Sequence, residues 1–211
     1  MAVSEYDTMA SWYDTVLEPF LWKMRRKIVK ISNVHSGMKV LEVACGTGTQ
    51  AVRFKRAGAE YTGVDLSPAM LDVAKKRKLE CLHADGKELP LEDNTFDLST
   101  ITLALHEVDP EIRKQITLEM VRVTKPDGFL VITDYTISGR KNIISSLSDR
   151  LIHYIEKLVG GSHYRNYRKF MKAGGLVSFL EPFDPEIVEA KFIFSGNVGI
   201  IKLQKNFTKR S

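Results

Sequence analysis

The segment VLEVACGTGTQ, residues 40–50, is an apolar run that ends in a turn holding Gly46 and Gly48 and continues into a helical pattern. Strand, glycine turn and helix in that order make a ligand site at the carboxyl end of a strand. The glycines let a ligand approach the backbone, and the first turn of the helix offers N–H groups with no partner inside the helix. A lone turn of this kind is also common in purely structural settings. Two further acids point to the same edge. Asp65 ends the run YTGVD, 17 residues beyond Gly48, where a carboxylate accepts hydrogen bonds from both hydroxyls of a ribose. Asp85, in HADGKELPLEDNTFDL, follows a third run and can accept from an adenine amino group, with Leu82, Ala84 and Leu89 beside the ring. Glu42 stands in the first strand, where burial of a carboxylate is costly unless a ligand ammonium or a neighbouring N–H pairs with it. Three strand ends therefore converge on a nucleoside ligand.

Other residue types with chemistry are less specific. His106, in TLALHEV after the fourth apolar run and beside Glu107, is a candidate general base; a lone histidine there serves equally as a structural or capping residue. Cys45 has no partner base in its loop and reads as a packing residue. Tyr164, Tyr167, Arg165 and Arg168, in SHYRNYRKFMKAGGL, either face an acceptor or belong to a solvated helix. Cys45 and Cys81 form no CxxC pair and lie near no histidine cluster, and no DxD-like oxygen cluster is present, so two free thiols and no metal are expected.

These residues need a scaffold. β-Branched apolar runs at residues 39–43, 61–64, 79–82, 96–101 and 129–133 alternate with helical patterns at 49–57, 68–77 and 111–123, which predicts βαβ units and a mostly parallel, doubly wound α/β sheet. Ser67 before Pro68 and Asp109 before Pro110 are helix starts, and KPDG, residues 125–128, is a turn before the strand FLVIT. Near the end, VEAKFIF and VGIIKL flank SGN, an antiparallel hairpin closing a sheet of seven strands. Residues 139–161 carry Ile143, Ile144, Leu147, Leu151, Ile155 and Leu158 at helical spacing, a candidate lid. One domain over 1–211 is expected, with a helical cap at 1–35, a cofactor-binding core at 36–135, a lid at 136–175 and C-terminal strands at 176–211.

From YDTMASWYD through VLEVACGTG, GVDLSPAML, ADGKELPLEDNTFDL and KPDGFLVITD, the chain resembles the class I S-adenosylmethionine-dependent methyltransferases with their Rossmann-like fold. Within them it is similar to the group containing ubiquinone and menaquinone biosynthesis enzymes and phospholipid N-methyltransferases. The resemblance fades after about residue 170. It implies that Glu42, Ala44, Gly46 and Gly48 surround the methionine part of S-adenosyl-L-methionine and that Asp65 holds the ribose. It also implies that Leu66, Met70, Asp85 and Gly86 line the adenine pocket, that Leu103 lies beneath the cofactor, and that Tyr6 and Tyr13 lie over it. Tyr13 would meet the methionine carboxylate or the sulfonium, S-adenosyl-L-homocysteine would be the product, and the acceptor would be a small molecule or lipid, a phospholipid headgroup amine or a quinone-like ring. One departure is Ala44, where the family has the first glycine of its loop. Two alternatives stand beside this reading. One is an idle module that binds an adenosine ligand. The other is a nicotinamide-dependent oxidoreductase, whose third loop glycine would fall at Ala51.

Composition bounds the partners. Of 211 residues 27% are charged, with a net charge of +5, but acids interleave the bases outside residues 23–30 and 75–78, so no basic stripe for nucleic acid is expected. There is no basic and apolar leader at the N-terminus and no apolar stretch near the ~20 residues that cross a bilayer, which predicts a cytoplasmic protein. LEPFLWKMRRKIVKI, residues 17–31, is a basic amphipathic helix; its apolar stripe either packs into the core or lies peripherally on an anionic membrane. The sequence leaves the oligomeric state open.

Overall fold

The computed structural model describes residues 10–137 and 150–207 other than 151, 155 and 158–160, with the side chains of residues 10–20 and 206–207 outside that description. Helix α1, Ala10–Ser32, leads into β1, Lys39–Val43, α2, Thr49–Arg56, β2, Glu60–Asp65, α3, Pro68–Lys76, β3, Cys81–His83, and β4, Phe96–Thr102. After a 3-10 turn at Leu105–Glu107 come α4, Pro110–Val123, and β5, Thr124–Tyr135. The chain ends with α5, Gly161–Lys172, α6, Gly175–Leu180, β6, Pro185–Ile193, and β7, Val198–Phe207.

The seven strands run in the order β3-β2-β1-β4-β5-β7-β6. The first five are parallel and β7 is antiparallel to both of its neighbours. Strand β1 has β2 on one side and β4 on the other. It is covered on both faces by helices, so its residues after Lys39 are buried without alternation. The chain builds outward from β1 to β3, then returns to start β4 on the opposite side, which opens a crevice at the carboxyl ends of β1 and β4. Six parallel strands in the order 3-2-1-4-5-6 would mark a dinucleotide-binding sheet. Here antiparallel β7 stands between β5 and β6; the hairpin is the expected one, and its order in the sheet is set by the fold.

Local details follow and in places correct the sequence. The Ser67 hydroxyl accepts from Met70 N–H at 3.3 Å, the predicted cap of α3. Asp109 has the extended backbone of a cap, but its carboxylate makes no bond to the helix; it stands 3.6 Å from Lys169 of α5. KPDG does not break the strand. It is absorbed as an irregularity in β5, where the partner of Phe96 is Thr124 and that of Leu98 is already Phe129. In the terminal hairpin the left-handed residues are Phe194, Ser195 and Gly196, while Asn197 is right-handed, so the reversal begins one residue before SGN. In α1, Met24, Ile28 and Ile31 are buried in the core at helical spacing, and Trp22, Lys23, Arg26, Lys27 and Lys30 are exposed. Of the proposed lid helix, residues 138–149 and Leu151, Ile155 and Leu158 lie outside the described residues.

Candidate functional site

The ends of β1, β2 and β4 and the loop after β3 surround a cleft of about 310 Å³, in the range that holds a small ligand. The turn after β1 shapes its floor. Ala44, Gly46 and Gly48 have φ of 55°, 55° and 76°, a left-handed region that costs an L-residue about 1–2 kcal/mol and glycine nothing. Ala44 therefore carries strain at the place where the resemblance expects a glycine. At Gly48 a Cβ would stand 2.1 Å from Leu79 Cδ1, so any other residue would have to displace that methyl as well as adopt the left-handed backbone; at Gly46, which lines the cleft, a Cβ would meet nothing within 4 Å.

Asp65 is fixed from two sides: its Oδ2 accepts from Gly46 N–H at 2.7 Å and its Oδ1 from Ser67 N–H at 2.8 Å. Burial raises its pKa against the lowering effect of these backbone bonds. A carboxylate oxygen has two lone pairs, so an oxygen that accepts one backbone N–H can also accept a ligand hydroxyl. Glu42 is 2% exposed and accepts from Tyr61 Oη at 2.8 Å. Burial pushes its pKa from the ordinary 4.5 to about 7, against the opposing pull of Tyr61 and of the Arg25 charge. A carboxylate held this way fits a ligand ammonium, which would restore its charge. Cys45 lines the cleft with its Sγ 3.9 Å from Cys81, both thiols free. The contact with Cys81 and burial push the Cys45 pKa up, so it stays protonated and is no nucleophile.

Of the other residues expected at the site, Leu66, Met70, Ala84, Asp85, Gly86 and Leu103 line the cleft. Leu103 does so with φ of 51°, its N–H tied to Thr133 O at 2.8 Å. Leu82 and Leu89 do not reach it, and Leu89 is buried in the core instead. Tyr13 falls on α1 and its side chain lies outside the described residues, as does Tyr6. Tyr167 is buried, Tyr164 donates to or accepts from His153 at 2.7 Å, and Arg165 and Arg168 are exposed, so none of the four lines the cleft.

His106 lies elsewhere than at the cleft surface. It is 2% exposed, stands behind the cleft wall and does not line it; the neighbouring Glu107 does. Its Nδ1 is 2.7 Å from Asp134 Oδ1, and Asp134 Oδ2 accepts the backbone N–H groups of Leu105 and His106 at 2.9 and 3.2 Å. Burial opposes charge on the ring, but the nearby carboxylates of Asp134 and Glu156 outweigh it and hold its pKa well above the usual value. Arg113 fastens the same turn, donating to Leu105 O at 2.7 Å and Val108 O at 2.8 Å with its guanidinium over the Phe170 ring. His106 is thus packed inside the wall that carries Glu107.

Sequence reasoning missed Arg25, Ser162 and Asn166, which line the cleft from α1 and α5. Asn166 donates to Glu107 O at 2.8 Å, joining α5 to the wall. Only the helical phase of α1, with Met24 and Ile28 inward, could have separated Arg25 from its exposed basic neighbours.

Residues 41–132 match the family model described as a methyltransferase domain. The chain is 39% identical over 137 residues to the demethylmenaquinone methyltransferase of Paenarthrobacter aurescens, covering 62% of this chain and 53% of the relative. It is 34% identical over 137 residues to that of Renibacterium salmoninarum, covering 62% and 57%. The chain thus spans a little over half the length of these curated relatives. Among solved structures, the protein bound to the Haloferax volcanii Trm112 methyltransferase activator matches with a TM-score of 0.74 at 14% identity over 100% of both chains. A SAM-dependent methyltransferase from Aquifex aeolicus matches at 0.60 and 19% identity, over 85% of this chain and 89% of that one. The seven-stranded sheet is the fold of these solved structures, and the methyltransferase-domain match spans its strands from β1 into β5. The curated proteins that it resembles in sequence include these demethylmenaquinone methyltransferases.

Proposed function

We propose that the protein transfers a methyl group from S-adenosyl-L-methionine to an apolar acceptor of the quinol type. The observation that carries the reading is the shared edge of Glu42, Asp65 and Asp85, three acids at the ends of successive strands around one cleft. Glu42 would hold the ammonium of the methionine part, Arg25 its carboxylate, Asp65 the ribose and Asp85 the adenine amino group, with Met70 and Leu66 against the ring. When bound, the cofactor supplies a methyl group on a sulfonium, open to in-line attack. The chain's own task is alignment and exclusion of water, and alignment alone supplies ~7–11 kcal/mol. The far wall sets the apolar side chains of Leu103, Ala104, Val108 and Ile112 beside the acids Glu107 and Asp109; the apolar part suits a ring, and the acids suit its hydroxyls.

Incubation with S-adenosylmethionine and either a demethylated quinol or a phosphatidylethanolamine vesicle, read as S-adenosylhomocysteine formed, tests the proposal. Quinol-dependent turnover is expected. Turnover with neither acceptor would leave an adenosine-binding module, and with the vesicle alone a phospholipid enzyme.

Peripheral membrane contact is the second part of the reading. Among the described residues no helix is long and apolar enough to cross a membrane. The exposed side of α1 presents Trp22 with Lys23 and Arg26 against its ring, and an aromatic residue flanked by cations suits an anionic interface. Binding to anionic vesicles at low salt, lost in Lys23→Glu/Lys27→Glu, is expected; indifference of the parent protein to such vesicles would remove this part.

A further inference from the structure

Behind the wall that carries Glu107, two histidines brought together from positions 106 and 163 face the same carboxylate. His106 Nε2 lies 4.0 Å and His163 Nδ1 3.9 Å from Glu107 Oε1, and the three residues can place one ligand atom each within 4.8 Å of one another. We propose that His106, Glu107 and His163 form a binding site for one divalent transition-metal ion of the zinc class, at the edge of the cleft.

Four observations carry it. The donor set is two imidazole nitrogens and one carboxylate oxygen, the composition that zinc and its borderline neighbours take with positions left open. The other nitrogen of each ring is already held by an acid, His106 Nδ1 by Asp134 at 2.7 Å and His163 Nε2 by Glu156. That is the outer support a metal-bound histidine needs, since it commits one ring nitrogen as a donor to the acid and leaves the metal to displace the proton of the other. Asp134 is itself committed, accepting from three backbone N–H groups, and Glu156 accepts from Tyr135 Oη at 2.7 Å. Finally, His106 Nε2 is buried with no hydrogen-bond partner, although Glu156 Oε2 is 3.5 Å away. An orphaned nitrogen at 2% exposure is costly and a metal ion would satisfy it. Ligands of a tetrahedral ion at ~2.1 Å stand roughly 3.4 Å apart, so each histidine would close on Glu107 by about half an ångström and the two histidine nitrogens, within 4.8 Å of each other, by at most about 1.4 Å. The sequence expectation of no metal rested on local spacing, which cannot register two histidines this far apart.

Glu107 and Asn166 line the cleft and bond each other's element, so ion uptake would also join α5 to the acceptor wall. That last consequence rests on the proposed function; the site itself does not. Full-length protein, stripped by chelation and dialysed, should be titrated with Zn²⁺ and with Co²⁺ alone, without cofactor or acceptor. One equivalent should bind, with the visible bands of low-coordinate Co²⁺. Glu107→Gln and His163→Gln should each weaken binding at least about tenfold and Asp134→Asn about 10–100-fold, whereas Asp65→Ala should bind as the parent does. Glu107 is partly exposed, so its variant keeps the test decisive should a buried histidine variant fail to fold. No uptake of either ion at tenfold excess, or equal uptake by parent and Glu107→Gln, would overturn the proposal. Because neither cofactor nor acceptor is present, either result stands apart from the fate of the methyl-transfer reading.

Discussion

The carboxylate of Asp134 grips His106 twice, through the backbone N–H at 3.2 Å and the ring Nδ1 at 2.7 Å. One side chain of β5 thereby sets both the path of the 3-10 turn after β4 and the orientation of its histidine ring. Asp134 is fully buried, and with backbone N–H groups on both oxygens it is the acceptor, so Nδ1 donates. Asp134→Asn puts an N–H where at least one of these bonds needs an acceptor. A loss of about 2–4 kcal/mol in stability is expected from broken buried bonds to a charged group, read by urea denaturation. A change under 0.5 kcal/mol would mean the turn is held elsewhere.

Asp65 should dominate cofactor affinity. Its carboxylate both orders the loop through Gly46 and Ser67 and offers two acceptors to the ribose. In Asp65→Ala, calorimetric affinity for S-adenosylhomocysteine should fall by about 1–3 kcal/mol, roughly 5- to 150-fold. Unchanged affinity, or tight binding of NAD by the parent protein, would contradict the assignment.

Glu42 predicts a pH dependence. Its folded pKa, about 7, lies above the ordinary 4.5. Between those values the native state therefore holds a proton that the unfolded chain has lost. Stability should fall as pH rises from about 4.5 to 7, by up to about 3 kcal/mol, and Glu42→Gln should lack that component. Cofactor binding should run the other way: an ammonium beside Glu42 favours the ionised form, so affinity should increase toward pH 7 with release of a proton. Calorimetry in two buffers of different ionisation enthalpy measures that release. No proton release at pH 6.5 would separate Glu42 from the ligand.

The left-handed Ala44 makes a test of strain. Ala44→Gly relieves about 1–2 kcal/mol of strain and loses about 0.5–1 through a freer unfolded chain, so thermal stability should hold or rise slightly. Ala44→Val, with its branched Cβ at φ 55°, should lose more than about 2 kcal/mol. Equal melting of the two variants would show that the turn relaxes around either side chain.

The amino-acid sequence by itself determined the alternation of strands and helices, the terminal hairpin, and the acids Glu42, Asp65 and Asp85 at strand ends, because each is local. An apolar run names a strand, a glycine turn marks its end, and the next polar residue falls at the sheet's carboxyl edge whatever the rest of the chain does. Only the tertiary structure decided which way Arg25 points, since neighbouring cations on α1 differ by a helical phase that packing selects. It also decided that His106 turns from the cleft into the wall. That outcome depends on Asp134 and Arg113, one from β5 and one from α4, and on His163 and Glu156 arriving from beyond β5. Buried polar groups find partners wherever the fold supplies them, and separation along the chain carries no record of which ones meet.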